Sequence, residues 1–280
     1  MLKQRVLTAL VLAPLMIGGV FFLPLTEFAY FIGLIAVLGA WEWANMAHFE
    51  QQAARIGFAA FIAVALVATA YALDQHLLRP LTILGLGALW WLVAFVLVAR
   101  YPGLSSFWSP KVVRLILGVL VLIPMWVGFV MLKAQNHSSL LILYLMFVVW
   151  GADTGAYFAG RKFGKAKLAP HVSPGKSWAG FWGGLATTML VAAAFVYYVE
   201  ANIQPLSSLA IGQLLIITLI TALASVLGDL LESMLKRFRG LKDSSNLLPG
   251  HGGILDRIDS MTSAVPVFAF LLLLLDWSLA

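Results

Sequence analysis

Two short stretches near the C-terminal end of the chain hold residue types able to do phosphate chemistry. The first is "GDLLESMLKR", Gly228 to Arg237, in which Asp229, Glu232, Ser233 and Lys236 fall at i, i+3, i+4 and i+7. That spacing puts all four on one face of a helix. The second is "KDSSNLLPGHGGILDRIDS", Lys242 to Ser260, with three acids, two bases, a histidine and three glycines. Pro249 and the glycines break helix, and glycine lets backbone approach a ligand such as a phosphate closely. Directly after them Asp256, Asp259, Ser260 and Ser263 repeat the i, i+3, i+4, i+7 spacing. Carboxylates interspersed with bases are hard oxygen ligands suited to Mg²⁺, which binds through one or two carboxylates plus substrate phosphates. The neighbouring cations would neutralise charge on phosphate oxygens. The chain has no cysteine, which removes thiolate metal sites and cysteine nucleophiles.

A third constellation, "WGADTGAYFAGRKFGKAKLAPHVSPGKSWAGFWGG", runs from Trp150 to Gly184. Asp153 stands at the end of an apolar run, where an isolated carboxylate costs at least ~2.5–3.5 kcal/mol and needs a cation or strong donor. Arg161, Lys162, Lys165, Lys167 and Lys176 follow among small residues, a composition suited to a polyphosphate. "SPGKS" is not a P-loop, because the required earlier glycine position is Pro170. The glycines at 250 and 252 are not a dinucleotide fingerprint either, since the third position is Leu255.

These polar islands lie in a chain of 280 residues that is 62% hydrophobic and 11% charged, with a mean hydropathy of +0.95. A soluble domain carries about 25% charged residues, so the elements positioning the site are membrane helices. Runs of about 20 apolar residues predict an all-α polytopic integral membrane protein with about nine spans, near 6–25, 27–47, 56–73, 81–99, 112–132, 139–159, 178–199, 212–235 and 261–279. No soluble domain interrupts them: residues 1–280 read as one membrane domain, with membrane helices over 1–135 and the catalytic part over 136–280. The basic start of the chain imitates a secretory signal but reads as a retained first anchor. A cytoplasmic N-terminus puts 16 of the 18 Lys and Arg residues inside and only Arg79 and Lys133 outside. All three constellations then face the cytoplasm, in a multi-pass protein of the inner membrane. The net charge of +6 belongs to these loops and does not call for nucleic acid. In the first half Trp41, Trp43, Trp90, Trp91 and Trp126 read as interfacial anchors, and Glu42 is an acid without an explanation.

"SMLKRFRGLKD", Ser233 to Asp243, and "HGGILDRID", His251 to Asp259, resemble the signature of the CDP-diacylglycerol synthases, also called phosphatidate cytidylyltransferases. The resemblance extends to "WGADTGAYFAGRKFGK" and "SPGKSWAGFWGG" and is weakest in the first 110 residues. It implies a nucleotidyltransferase of phospholipid biosynthesis that converts CTP and phosphatidic acid to CDP-diacylglycerol and pyrophosphate with Mg²⁺. Matched to that motif, Asp229 and Asp256 would hold the metal, with Asp259 a third ligand or an orienting group. Ser233, Lys236 and Arg257 would hold phosphate oxygens, and His251 would orient a phosphate or the metal's water. Asp153, Lys167, Ser173, Lys176, Lys242 and Asp243 would shape the substrate pocket. The competing readings are a CTP-dependent kinase of a polyprenol-type lipid, a transporter of an anionic substrate and a lipid-binding scaffold. A transporter would place its charges near mid-bilayer, whereas these crowd one side. A homodimer is left open.

Overall fold

The computed structural model describes residues 2–279, with side chains described from Thr8 onward except Ala9. The chain is an all-α polytopic membrane protein. Its helices are α1 (Leu2–Phe22), α2 (Leu25–Met46), α3 (Gln52–Asp74), α4 (Pro80–Ala99), a single turn α5 (Ser105–Trp108), α6 (Lys111–Lys133), α7 (Ser138–Phe163), α8 (Trp178–Asn202), α9 (Ser208–Arg239) and α10 (Leu255–Leu274). Among the described residues eight of them, α2, α3, α4, α6, α7, α8, α9 and α10, are long and apolar enough to cross a bilayer. The expected first span falls on α1, whose apolar run Leu10–Phe22 is shorter. The side chains of Lys3 and Arg5, used in the charge argument, lie outside the described residues.

The expected boundaries hold to a few residues except at the two helices that matter most. α9 runs four residues past the expected 212–235 at each end, and α10 starts six residues before the expected 261. The differences put Lys236, Arg237 and Arg239 inside α9 and Asp256, Arg257 and Asp259 inside α10, clustered charges that hydropathy leaves outside a span. α9 ends where Gly240 turns left-handed, with φ 77°. The Gly240 N–H donates to Arg237 O and the Leu241 N–H to Lys236 O, the paired bonds of a Schellman cap. At 32 residues α9 is about 48 Å long, well beyond ~30 Å of hydrocarbon, so its charged last turns extend past the apolar layer.

One element differs from expectation in kind. The basic loop after α7 is a hairpin of two short antiparallel strands, β1 (Lys167–Ala169) and β2 (Ser173–Ser177), with Lys167 opposite Ser177. Ser177 then caps α8, its Oγ accepting from Gly180 N at 3.2 Å.

The tryptophans of the first half are not an interfacial belt. Trp43, Trp90, Trp91 and Trp126 are buried in the helix core. Trp43 Nε1 donates to Arg114 O and Trp126 Nε1 to Ala29 O, so the polar handles of these two rings are met by backbone, while those of Trp90 and Trp91 are buried without a partner. Trp41 carries the Arg55 guanidinium 3.6 Å above its ring.

Candidate functional site

The site forms where α9 and α10 meet, at the end of the bundle that also carries the hairpin. The two helices can touch there because Gly228 has no side chain: a Cβ would collide with Asp259 O and Ser263 Oγ. The two helical stripes read from sequence therefore face each other. The α9 stripe is internal, with Glu232, Ser233 and Lys236 buried.

Two lysines bind this lattice together. Lys236 Nζ lies 2.5 Å from Asp256 Oδ1 and 3.1 Å from Glu232 Oε1, its side chain only 9% exposed. Lys176, from the hairpin, reaches Asp229 Oδ2 at 2.7 Å. Asp229 Oδ1 accepts from Ser233 Oγ at 3.1 Å. Asp259 sits within electrostatic reach of Asp229, Lys236 and Lys176, and its Oδ1 accepts from Ser260 N. Asp153 adds a further acid within reach of Lys176 and Asp229.

Asp256 does a different job from Asp229. Its Oδ2 accepts from Ser244 N and Gly253 N at 2.8 Å and lies 2.9 Å from Ser244 Oγ, while Oδ1 holds Lys236. Both oxygens are thereby committed to fastening the loop onto α10 and α9. Gly252, at φ 82°, would place a Cβ 2.6 Å from Asp256 Oδ2. The glycines were expected to let backbone approach phosphate; here they let it approach the protein's own carboxylates.

The remaining expected residues are spread around this centre. His251 turns the loop with its N–H on Leu248 O, and its Nδ1 is buried without a partner. Arg257 is exposed one position after Asp256. Lys167 is exposed on β1, Ser173 begins β2, and Lys242 and Asp243 are exposed just after the end of α9. These four make no direct contact with the acid cluster that the structure records.

Three hollows adjoin the centre. A cavity of about 400 Å³ lies between the C-terminal end of α7, the hairpin and α8, lined by Asp153, Tyr157, Arg161, Lys176 and Ser177 among others. An apolar groove of about 410 Å³ runs between α1, α2, α6, α7 and α10, with His251 and Arg257 in its wall. A larger groove of about 890 Å³ between α4, α9 and α10 has no Lys, Arg, Asp or Glu in its wall.

Sequence reasoning missed three residues. Glu42, Ser244 and Ser245 form a hydrogen-bonded knot with the start of α10, and Glu42 and Ser244 have no exposed surface. The only signal was an acid in an apolar run; its partners, some 200 positions away, carried none.

The donor set fits Mg²⁺ at Asp229 and Asp259. They are like-charged carboxylates on touching helices, and a cation between them would relieve their repulsion. Among the described residues no three His, Cys, Asp or Glu side chains are gathered in ligand geometry. The other positions would be filled by water and substrate oxygens, as is usual for Mg²⁺. Asp256 fits less well, because a metal would have to displace Lys236 from its one less-occupied oxygen.

A helical membrane bundle with a lattice of acids and lysines gathered at one end defines a class: membrane-embedded proteins that handle phosphorylated substrates at the bilayer surface. The comparisons narrow it. The cytidylyltransferase family model matches residues 3–275, so the chain belongs to the cytidylyltransferase family. A protein of Pseudomonas aeruginosa named phosphatidate cytidylyltransferase is 50% identical over 277 residues, covering 99% of each chain. One of Haemophilus influenzae with the same name is 42% identical over 284 residues, covering 96% of this chain and 98% of its own. A third, of Staphylococcus haemolyticus, is 44% identical over 148 residues, 52% of this chain and 55% of its own.

Proposed function

We propose that the protein is an enzyme that transfers the cytidylyl group of CTP to phosphatidic acid, giving CDP-diacylglycerol and pyrophosphate for phospholipid synthesis. Its full-length relatives bear the name of that activity. The observation that carries the reading is the meeting of α9 and α10: one acid and lysine lattice stands between a cavity whose wall holds Asp153, Arg161 and Lys176 and an apolar groove whose wall holds one cation, Arg257. A nucleotide and a lipid phosphate can meet only at such a boundary.

In the proposed reaction an oxygen of the phosphatidate phosphate attacks the α-phosphorus of CTP. A new P–O–P bond forms, the bond from the α-phosphorus to the β-phosphate oxygen breaks, and pyrophosphate takes that electron pair. A phosphate monoester is already nucleophilic near neutral pH, so the protein's work is to position two anions and screen their repulsion. Lys176 and Arg161 line the cavity proposed for the triphosphate. Arg257 and His251, in the wall of the apolar groove, would receive the lipid phosphate, with the acyl chains along α1, α2 and α7. The groove beside α4 offers chains more room, but its wall holds His171 and no Lys or Arg for a phosphate. Mg²⁺, held by Asp229 and Asp259, would neutralise phosphate charge in the transition state. Lys236 is neutralised on both sides and keeps the two helices in register. The site end faces the cytoplasm of an inner membrane in this reading, which the excess of Lys and Arg on that side supports.

The test is purified protein in detergent with labelled CTP and phosphatidic acid, with and without EDTA. The expected result is labelled CDP-diacylglycerol and pyrophosphate in equal amounts, abolished by EDTA and restored by Mg²⁺. Release of CDP with phosphate transferred to a polyprenol would show a lipid kinase instead, and no turnover of CTP with any lipid would end the enzymatic reading.

A further inference from the structure

Glu42 belongs to α2, in the first third of the chain, and is completely buried. No ion pair with it occurs among the described residues. Its charge is met instead by donors from the loop before α10 and from the first residues of that helix. Oε1 accepts from Ser245 Oγ at 2.6 Å and Ile254 N at 2.8 Å; Oε2 accepts from Leu255 N at 2.7 Å and lies 3.0 Å from Ser244 Oγ, whose single proton it shares with Asp256.

We infer that Glu42 is a positioning residue for cytidylyl transfer: it caps α10 from another helix and so fixes the direction in which Asp256 and Asp259 leave the first turns. The inference rests on the proposed reaction for its rate readout and on geometry for the rest. The first amides of a helix have no partner within it, and α10 has no side-chain cap of its own at Ile254. Glu42 takes two of those amides and places a negative charge at the positive end of the helix dipole. Asp256 takes Gly253 N in the same way, and Ser244 Oγ lies within hydrogen-bond distance of both carboxylates. The two acids thus grip one loop from opposite sides.

The surroundings fit this role. Gly253 passes between Ser244 and Glu42 so closely that a Cβ would lie 2.5–2.6 Å from the Glu42 oxygens. One turn before Glu42, Gly39 leaves room for the Leu255 side chain, where a Cβ would be 3.0 Å from it. α2 therefore holds the start of α10 by a carboxylate and by a packed contact on one face. A glutamine could not replace the acid: its amide group would direct donors at groups that donate to Glu42, and the serine hydroxyls can turn to accept but the backbone N–H cannot.

The experiment compares wild type with Glu42→Gln in three measurements. kcat should fall about 10- to 100-fold, the scale of a small misplacement of reacting groups, with KM for CTP and for phosphatidic acid within about threefold. Amide exchange at Ile254 and Leu255, measured without substrate or metal, should quicken at least about tenfold while the other helix amides keep their rates. Ser245→Ala removes one donor without changing a buried charge; it should fold normally and lower kcat by about two- to fivefold, so the inference stays testable if Glu42→Gln does not fold. Wild-type kcat and exchange in Glu42→Gln would overturn the inference. So would uniformly faster exchange across the bundle, or an activity loss matched by the loss of folded protein. If the wild type itself shows no cytidylyl transfer, the proposed reaction fails, and the Ile254 and Leu255 exchange rates still decide whether Glu42 holds the helix start.

Discussion

Asp256 offers the sharpest separation between a residue that supports the site and one that performs chemistry in it. Asp256→Asn replaces one oxygen with an NH₂ group. If the amide takes the Oδ2 position it faces the N–H groups of Ser244 and Gly253; if it takes Oδ1 it faces Lys236 Nζ. Either way donor meets donor, and a lysine 9% exposed loses a charged partner 6% exposed. Breaking a buried pair costs about 3–5 kcal/mol, and the surviving amide oxygen keeps the variant near the lower end. At about 2–4 °C per kcal/mol for a large domain, the melting midpoint in detergent should fall by roughly 6–12 °C. The drop should be the same in EDTA and in Mg²⁺, because the partners lost belong to the protein. Asp259→Asn makes the contrast: it removes a like charge near Asp229 and Glu232, so the midpoint should hold or rise while turnover is lost. The assay is thermal unfolding followed by intrinsic tryptophan fluorescence, alongside CDP-diacylglycerol formation. An Asp256→Asn protein as stable as wild type in EDTA and less stable only in Mg²⁺ would refute the reasoning and make Asp256 a metal ligand.

Two further outcomes are expected. His48, in the turn between α2 and α3, accepts from or shares a proton with Arg114 Nη1 at 2.6 Å, and burial first, then Arg114, Arg239 and Lys111, hold its pKa below the usual 6.5. A depressed histidine favours folding in its neutral form, so its contribution is fully present above about pH 6.5 and is lost as pH falls through the lower folded value. The melting midpoint should therefore drop less between pH 7.5 and pH 5.5 in His48→Asn, which tolerates the left-handed backbone there (φ 67°), than in wild type; an equal drop would remove His48 from the account. For orientation, the natural absence of cysteine allows single labels: Lys242→Cys, exposed, should react with an impermeant thiol reagent only once the cytoplasmic face is opened, and Ser207→Cys from outside intact cells. The reverse pattern would overturn the cytoplasmic N-terminus.

The helical stripes were readable because their period belongs to the backbone: Asp229 to Lys236 and Asp256 to Ser263 lie on the faces that their spacing predicts. What each charge touches was not readable. Lys176 meets Asp229 across 53 positions by way of a hairpin whose strands of three and five residues are too short to show alternation and include Pro174 and Gly175. The shared role of Asp229 and Asp256 was drawn from two helical stripes of equal spacing, whereas their surroundings differ: one pairs with a lysine that lines a cavity, the other is enclosed by amides. The tryptophans were misread for a related reason. An aromatic residue with one polar atom is equally suited to a headgroup layer and to a core with a free carbonyl, and only the neighbouring helix decides between them.

The pairing of Glu42 with Leu255 spans 213 positions of chain, and it fixes an order of assembly. At roughly 5–20 residues per second, α2 leaves the ribosome some 10–40 s before the amides that satisfy its acid exist. Throughout that interval the helices already made carry a carboxylate whose hydrogen-bond donors have yet to be synthesised, with Arg55 of α3 within electrostatic reach of it. The segment that bears Asp256 and Asp259 is thus also the one that brings Glu42 its backbone donors. Arrival of α10 and formation of the charged end of the bundle become a single event, so a chain stopped before residue 254 has neither the acid cluster nor a satisfied Glu42.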